Sequence, residues 1–169
     1  IQLMPLLSNE PRIKELTNLS LVGVHQTMSL ADNRTASLWQ TFMPRLKELA
    51  SRVGADLYSL QQYPVDYFNS FDPTRSFEKW AAVAVSSVDP IPAGMDTLML
   101  KGTYAVFDFQ GTPAEFGNAI QYILSVWLPQ SDYQLDERPH FELLGEKYKR
   151  NDPLSEEEIW IPIRKRVIG

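Results

Sequence analysis

The tripeptide Glu-x-Trp occurs twice in this chain, as Glu78-Lys79-Trp80 and Glu158-Ile159-Trp160, and each copy falls at the same point of a repeated order of elements. A duplicated supersecondary unit constrains a fold severely. Neither copy can bury its apolar face alone, so the two must share a core, and the axis that relates them is a natural place for a cleft. The first copy opens with apolar positions Ile13, Leu16, Leu19, Leu21, Val22 and Val24 between Arg12 and His25, a pattern that predicts a strand or a bent pair of short strands. Asn33 or Thr35 can then cap a helix whose apolar side carries Leu38, Trp39, Phe42, Leu46 and Leu49. Pro44 removes an amide donor and should kink this helix near its middle, and Gly54 ends it. Extended segments follow at Asp56 to Tyr63 and Trp80 to Val85, across an aromatic-rich loop holding Tyr67 and Phe68.

Residues 86–95 contain two prolines and a glycine and read as the connection between halves. The order then begins again. Leu98 to Phe109 predicts a strand interrupted at Gly102, and Thr112-Pro113-Ala114-Glu115 is a helix start with a capping-box pair and proline at the first helical position. Phe116, Ile120, Ile123, Leu124 and Trp127 line that helix, which should stop at Pro129. Pro139 to Leu144 and Ile159 to Ile163 are the closing strands. Phe42-Met43-Pro44 also lies 85 residues before Trp127-Leu128-Pro129. The expected fold class is therefore α+β: two fused β-α-β-β repeats with pseudo-two-fold symmetry, an antiparallel sheet with two main helices, and a ligand cleft between the halves. Residues 1–9 read as a leader or disordered end, 10–163 as one domain (halves 10–88 and 96–163), and 164–169 as a tail.

Composition removes several classes of function. A net charge of −5 and a pI near 5.0 oppose electrostatic binding of nucleic acid, and the single basic cluster, Arg164-Lys165-Arg166, reads as a solvated tail. The chain has no cysteine, which excludes disulfides and thiolate chemistry and permits a reducing cytoplasm, the expected location. No apolar run approaches the roughly 18 to 20 residues of a membrane span. Phosphate-loop, dinucleotide and nucleophile-elbow signatures are absent, so no cofactor is expected. No metal is expected either: His25 and His140 read as strand residues, one hydrogen-bonded in the fold and one exposed, in preference to ligands of a His-carboxylate site.

Carboxylates within apolar strands are the informative polar residues, because a charge there is costly unless paired, solvated or reserved for a ligand. Glu142 lies in Pro139-His140-Phe141-Glu142-Leu143-Leu144; alternation puts Phe141 and Leu143 on one face and His140, Glu142 and Leu144 on the other. Periodicity alone favours an outward-facing Glu142. Glu158 shares a face with Trp160 and can reach the same cleft, although membership of the acidic run Glu156-Glu157-Glu158 is the simpler reading. Trp80, Tyr104, Trp127, Phe141 and Trp160 lie on predicted regular elements. A few such rings around one carboxylate would suit a lipophilic cation, attracted by ring quadrupoles and neutralised by the acid.

The ordered set Glu10-Pro11-Arg12-Ile13, Leu21-Val22-Gly23-Val24, Leu38-Trp39-Gln40-Thr41-Phe42-Met43-Pro44, Tyr104-Ala105-Val106-Phe107, Trp127-Leu128-Pro129, Arg138-Pro139-His140-Phe141-Glu142 and Ile159-Trp160-Ile161-Pro162-Ile163 resembles the GyrI-like effector-binding domain. That domain is the small-molecule module of many bacterial multidrug-sensing transcription regulators and is also found alone. The resemblance implies two β-α-β-β repeats around a ligand cleft, with Glu142 at the base of an aromatic pocket for cationic, lipophilic drugs and Trp160 on its wall. Under it the ligand-binding set is Glu142, Trp160, Phe141, Trp127, Tyr104 and Trp80, with Glu158 secondary. The sequence contains no helix-turn-helix, so a stand-alone effector-binding protein without direct nucleic-acid or membrane binding is expected. The resemblance leaves two rivals: a hydrolase of cyclopropane-type genotoxins, with Glu142 acting on a water, and a protein-interaction modulator, for example of DNA gyrase or of a regulator.

Overall fold

The structure is a computed structural model that describes residues 6–8, 10–150 and 152–167. Residues 1–5 and 9 of the expected leader and the last two of the expected tail lie outside the described residues. The described chain forms strands β1 (Leu6–Leu7), β2 (Arg12–Ser29), β3 (Leu57–Gln62), β4 (Ser76–Ala84), β5 (Asp96–Gln110), β6 (Tyr133–Leu135), β7 (His140–Leu144) and β8 (Glu156–Lys165). Helix α1 (Thr35–Phe42) is prolonged by the 3-10 stretch Met43–Glu48, and helix α2 (Pro113–Tyr122) by a π turn, Ile123–Trp127, and a last turn, Leu128–Gln130. The element order is the expected duplication, β2-α1-β3-β4 followed by β5-α2-β7-β8.

All strand pairs are antiparallel. Their order is β1-β5-β2-β4-β3-β7-β8-β6, and β5 also pairs with β8, which closes six of the strands into a ring. The halves meet at two seams, β2 with β5 and β3 with β7. Leu21, Leu60, Trp80, Leu100, Tyr104, Phe141 and Trp160 form one buried cluster, which carries no helix. Leu38 and Phe42 of α1 pack on Val22, Val24, Ala81 and Val83 in a second. Ala119 and Ile123 of the α2 segment pack on Ala105, Phe107, Ile159 and Ile161 in a third. Successive strand residues point to opposite faces, so the two helix-bearing clusters share one face of the sheet. A helix about 10–12 Å across does not fit inside a six-stranded ring already filled by side chains, so that face is the outer one.

Local chemistry accounts for the element ends. Pro44 interrupts the first helix as expected, with the chain tightening to 3-10 geometry from Met43. Asn33 rather than a cap residue proper satisfies its start: Oδ1 accepts from the Thr35 amide at 3.0 Å and from its hydroxyl at 2.6 Å. The capping box of α2 is complete, Thr112 Oγ1 accepting from the Glu115 amide and Glu115 Oε1 from the Thr112 amide. That helix does not stop at Pro129 but runs to Gln130, where Arg166 Nη2 donates to the carbonyls of Leu128 and Pro129, both at 2.9 Å. Arg166, although exposed, thus adds a side-chain cap to the helix end, where the Leu128 carbonyl also accepts from Ser131. Leu6 and Leu7, within the expected leader, pair with Gln110 and Phe109. On β2, a Cβ added at Gly23 would lie 2.0 Å from the Ala81 carbonyl oxygen, so only glycine lets β4 approach there.

The registers also fix which residues of the two halves correspond. Trp80 pairs with Leu60, and Trp160 pairs with Phe141. Superposing the tryptophans therefore matches Leu60 with Phe141, and the residue equivalent to Glu142 is Gln61, on the same face. The 80-residue offset of the Glu-x-Trp pair alone points instead to Gln62, which faces the opposite way.

Candidate functional site

Glu142 projects from β7 at the seam between the halves. Its cross-strand neighbours are Ser59 and Ile159, whereas Phe141 beside it faces Leu60 and Trp160. Because paired residues share a face, Glu142 belongs to the outer, helix-bearing face, on the strip of β3 and β7 between the patch under α1 and the patch under α2. Outward alternation is therefore correct, yet the site is not solvated: Glu142 is only 8% exposed.

Two polar side chains meet the carboxylate. Gln61 Nε2 donates to Glu142 Oε1 at 3.0 Å, and Lys79 Nζ stands 3.9 Å from the same oxygen. Lys79 is 5% exposed, so both partners of this ion pair are withdrawn from water. Glu157 of β8 shares the face with Ile159 and completes the group. Burial raises the Glu142 pKa, restrained by Lys79 and by the Gln61 hydrogen bond; it lowers that of Lys79, restrained by Glu142 and Glu157. Glu157 is pushed up to about 8, by burial first and then by the charge on Glu142, against the attraction of Lys79. At neutral pH Glu157 is thus predominantly a neutral acid.

Aromatic side chains lie along the same face toward one end of the seam, in a depression whose lining does not include Glu142. The Tyr63 ring lies 4.6 Å from Tyr67, 4.8 Å from Phe68 and 4.9 Å from His140, and Phe68 stacks on His140 at 5.4 Å. Tyr63, Phe68, His140, Arg138 and Leu135 help line a depression of about 210 Å³ at this end of the seam. His140 is buried, and burial together with Arg138 pulls its pKa down to about 3, which keeps the imidazole neutral and ring-like at any physiological pH. The Tyr63 hydroxyl is raised well above its ordinary value by burial and then by Glu142. Tyr148, in the loop after β7, is raised by burial, then by Glu157, and in lesser part by Glu142.

The other residues singled out in the sequence lie elsewhere. Phe141 stacks on Trp160 with centroids 4.9 Å apart, Tyr104 meets both edgewise, and all three belong to the inner cluster with Trp80. Glu158 shares their face, accepting from the Trp160 indole N–H at 3.0 Å and pairing with Arg12 at 2.9 Å. Trp127 packs against Phe107 and Tyr133 under α2. The structure thus separates Glu142 from Trp80, Tyr104, Phe141, Trp160 and Glu158 by the thickness of the sheet. It groups Glu142 instead with Gln61, Lys79, Glu157, Tyr63 and His140. Neither histidine is a merely exposed strand residue. His140 is buried, and His25 bridges Glu78 at 2.6 Å and Asp96 at 2.5 Å while stacking on Trp80. Lys79 was visible in the sequence as the middle residue of the first Glu-x-Trp, where the second copy has Ile159.

Comparison with known proteins agrees with this architecture. The model of the GyrI-like small molecule binding domain matches residues 9–164. The transcriptional regulator BrlR of Pseudomonas aeruginosa is 27% identical over 154 residues, 90% of this chain and 54% of its own, so the chain spans about half the length of that relative. Among solved structures, SAV2435 bound to tetraphenylphosphonium is similar with a TM-score of 0.65 at 22% identity, over 92% of this chain and 94% of that one. A hydrolase encoded by lin2189 from Listeria innocua is similar with a TM-score of 0.59 at 11% identity, over 92% of both chains. At these identities the solved structures speak for the fold.

Proposed function

The chain belongs to the GyrI-like small molecule binding domain family, and from that premise we propose that it binds hydrophobic cations on the strip between α1 and α2, with Glu142 as the countercharge. One observation carries the reading: a buried carboxylate at the seam of the two halves, at a position where the equivalent residue is the uncharged Gln61. Away from water the attraction between opposite charges is stronger, and a cation that is poorly hydrated to begin with loses least in reaching Glu142. Gln61 holds the acid in one orientation. Tyr63 and Phe68 offer ring faces and edges for the apolar part of the ligand, a mode that tolerates varied shapes. Tetraphenylphosphonium, the ligand of the similar SAV2435, is the natural first probe. A role in sensing or sequestering such compounds in the cytoplasm, without direct contact to nucleic acid, fits the acidic chain.

The test is titration of tetraphenylphosphonium and a panel of cationic dyes against the protein and a Glu142→Gln variant. Binding should weaken at least tenfold in the variant, about 1.4 kcal/mol. Equal affinity removes Glu142 from the site, and absence of binding by every cation rejects the reading.

A hydrolase is the second reading, favoured by the pairing of Glu142 with Glu157. Glu157, pushed up to about 8, holds a proton at neutral pH near a second buried acid, Glu142, an arrangement suited to general acid and base work on water. Turnover of an electrophilic substrate that is lost in Glu142→Gln while binding persists would establish it.

A further inference from the structure

Lys79 is a buried cation that the binding site does not obviously need. Nζ lies 3.9 Å from Glu142 Oε1, longer than the roughly 2.7–2.9 Å of a charge-assisted hydrogen bond. The pair is therefore close enough to neutralise but not locked. The fold itself does not demand a lysine at this point: Lys79 pairs with Gln61, and in the second half Ile159 pairs with Glu142, so the equivalent of Lys79 is an apolar residue in the same sheet position. These two departures from symmetry on this face, Glu142 for Gln61 and Lys79 for Ile159, therefore meet in one ion pair.

We propose that Lys79 is a built-in cation that occupies Glu142 in the ligand-free protein and that an incoming cation must displace, so that it sets the threshold for binding. The proposal rests on the reading of Glu142 as the ligand's countercharge. A tethered ammonium already stripped of most of its water is a strong competitor, because a free cation must lose its own hydration before replacing it. Small, well-hydrated cations bring nothing to offset that loss. A cation wrapped in apolar surface is poorly hydrated and gains burial against Tyr63 and Phe68, so it alone separates the pair. Lys79 thus converts a carboxylate open to any cation into a filter for lipophilic ones, and it keeps the empty site neutral.

The experiment is calorimetric titration of tetraphenylphosphonium against the wild-type protein, Lys79→Met, Lys79→Gln and Glu142→Gln, with triphenylphosphine oxide as the neutral comparison. With the competitor gone, both Lys79 variants should bind the cation about tenfold more tightly, a change of 1.4 kcal/mol, while the neutral compound responds little. Unchanged or weaker cation binding in folded Lys79 variants, with Glu142→Gln impaired, overturns the displacement proposal and leaves the functional reading intact. Wild-type affinity in Glu142→Gln overturns that reading itself. A measurement on the wild-type protein is independent of whether the variants fold: in spectra of 15N-lysine-labelled protein, the Lys79 ammonium resonance, assigned with Lys79→Arg, should shift on saturation with tetraphenylphosphonium. A resonance that stays in place at saturation contradicts displacement.

Discussion

At Glu142 the cost of burying a carboxylate is met by two partners, the Gln61 amide at 3.0 Å and the Lys79 ammonium at 3.9 Å, and neither saturates it. Ion pairs of this kind contribute little to stability against an apolar pair of similar size. The double variant Glu142→Leu with Lys79→Met should therefore melt at or above the wild-type temperature while losing cation binding; a melting point several degrees lower would make the pair structural. His25 allows a separate pH prediction. Partial burial lowers its pKa, but hydrogen bonds to Glu78 and Asp96 outweigh this and raise it overall. A raised folded pKa means that the stabilisation is complete below the unfolded value of about 6.5 and is lost as pH rises through the folded one. His25→Gln should be destabilised relative to wild type near pH 6, with the gap closing at higher pH; denaturant midpoints across that range check it, and a constant gap contradicts it. Legibility at this scale was uneven. Glu142 stood out as the single acid in an apolar hexapeptide, but Lys79 and Glu157 looked like ordinary members of charged stretches. Tyr63 looked like the end of a strand, because which face each occupies depends on registers set by distant strands.

Among the elements, those with a strong local code were legible and those made by pairing were not. The capping box at Thr112 and Glu115 and the break at Pro44 rest on neighbours within four residues, and both are found. Thr112→Ala should cost about 1 kcal/mol, read from denaturant unfolding; no loss would mean that α2 is held by packing alone. β1 and β6 hold two and three residues and exist only through contact with β5 and β8, so no periodicity announces them. β4 begins at Ser76 and β8 at Glu156, ahead of their apolar cores, because backbone pairing continues through polar residues that periodicity does not count. Gly23 belongs to this scale as well. Gly23→Ala forces a methyl group into the Ala81 carbonyl and should destabilise by about 3 kcal/mol, as overpacking does. An alanine variant of wild-type stability would refute the close approach of β2 and β4.

For the whole molecule, duplication builds the frame and departures from it place the chemistry. Two β-α-β-β units meet along the β2–β5 and β3–β7 seams, and on the outer face of the second seam Gln61 and Ile159 are the neutral counterparts of Glu142 and Lys79. The Glu-x-Trp repeat announced the frame correctly, yet its tryptophans serve the inner core and only the middle residue of its first copy, Lys79, belongs to the candidate site. A sequence period of two tells which residues share a face but not which face a ligand meets. That is why Trp80, Tyr104, Phe141 and Trp160, expected around Glu142, lie on the far side of the sheet. The most direct test of the central claim is a crystal structure of the complex with tetraphenylphosphonium. The predicted result is phosphonium density on the outer face between α1 and α2, with its charge against the Glu142 carboxylate and Lys79 drawn away from it. Density against Phe141 and Trp160, or a bound cation beside an undisturbed Glu142–Lys79 pair, would contradict it.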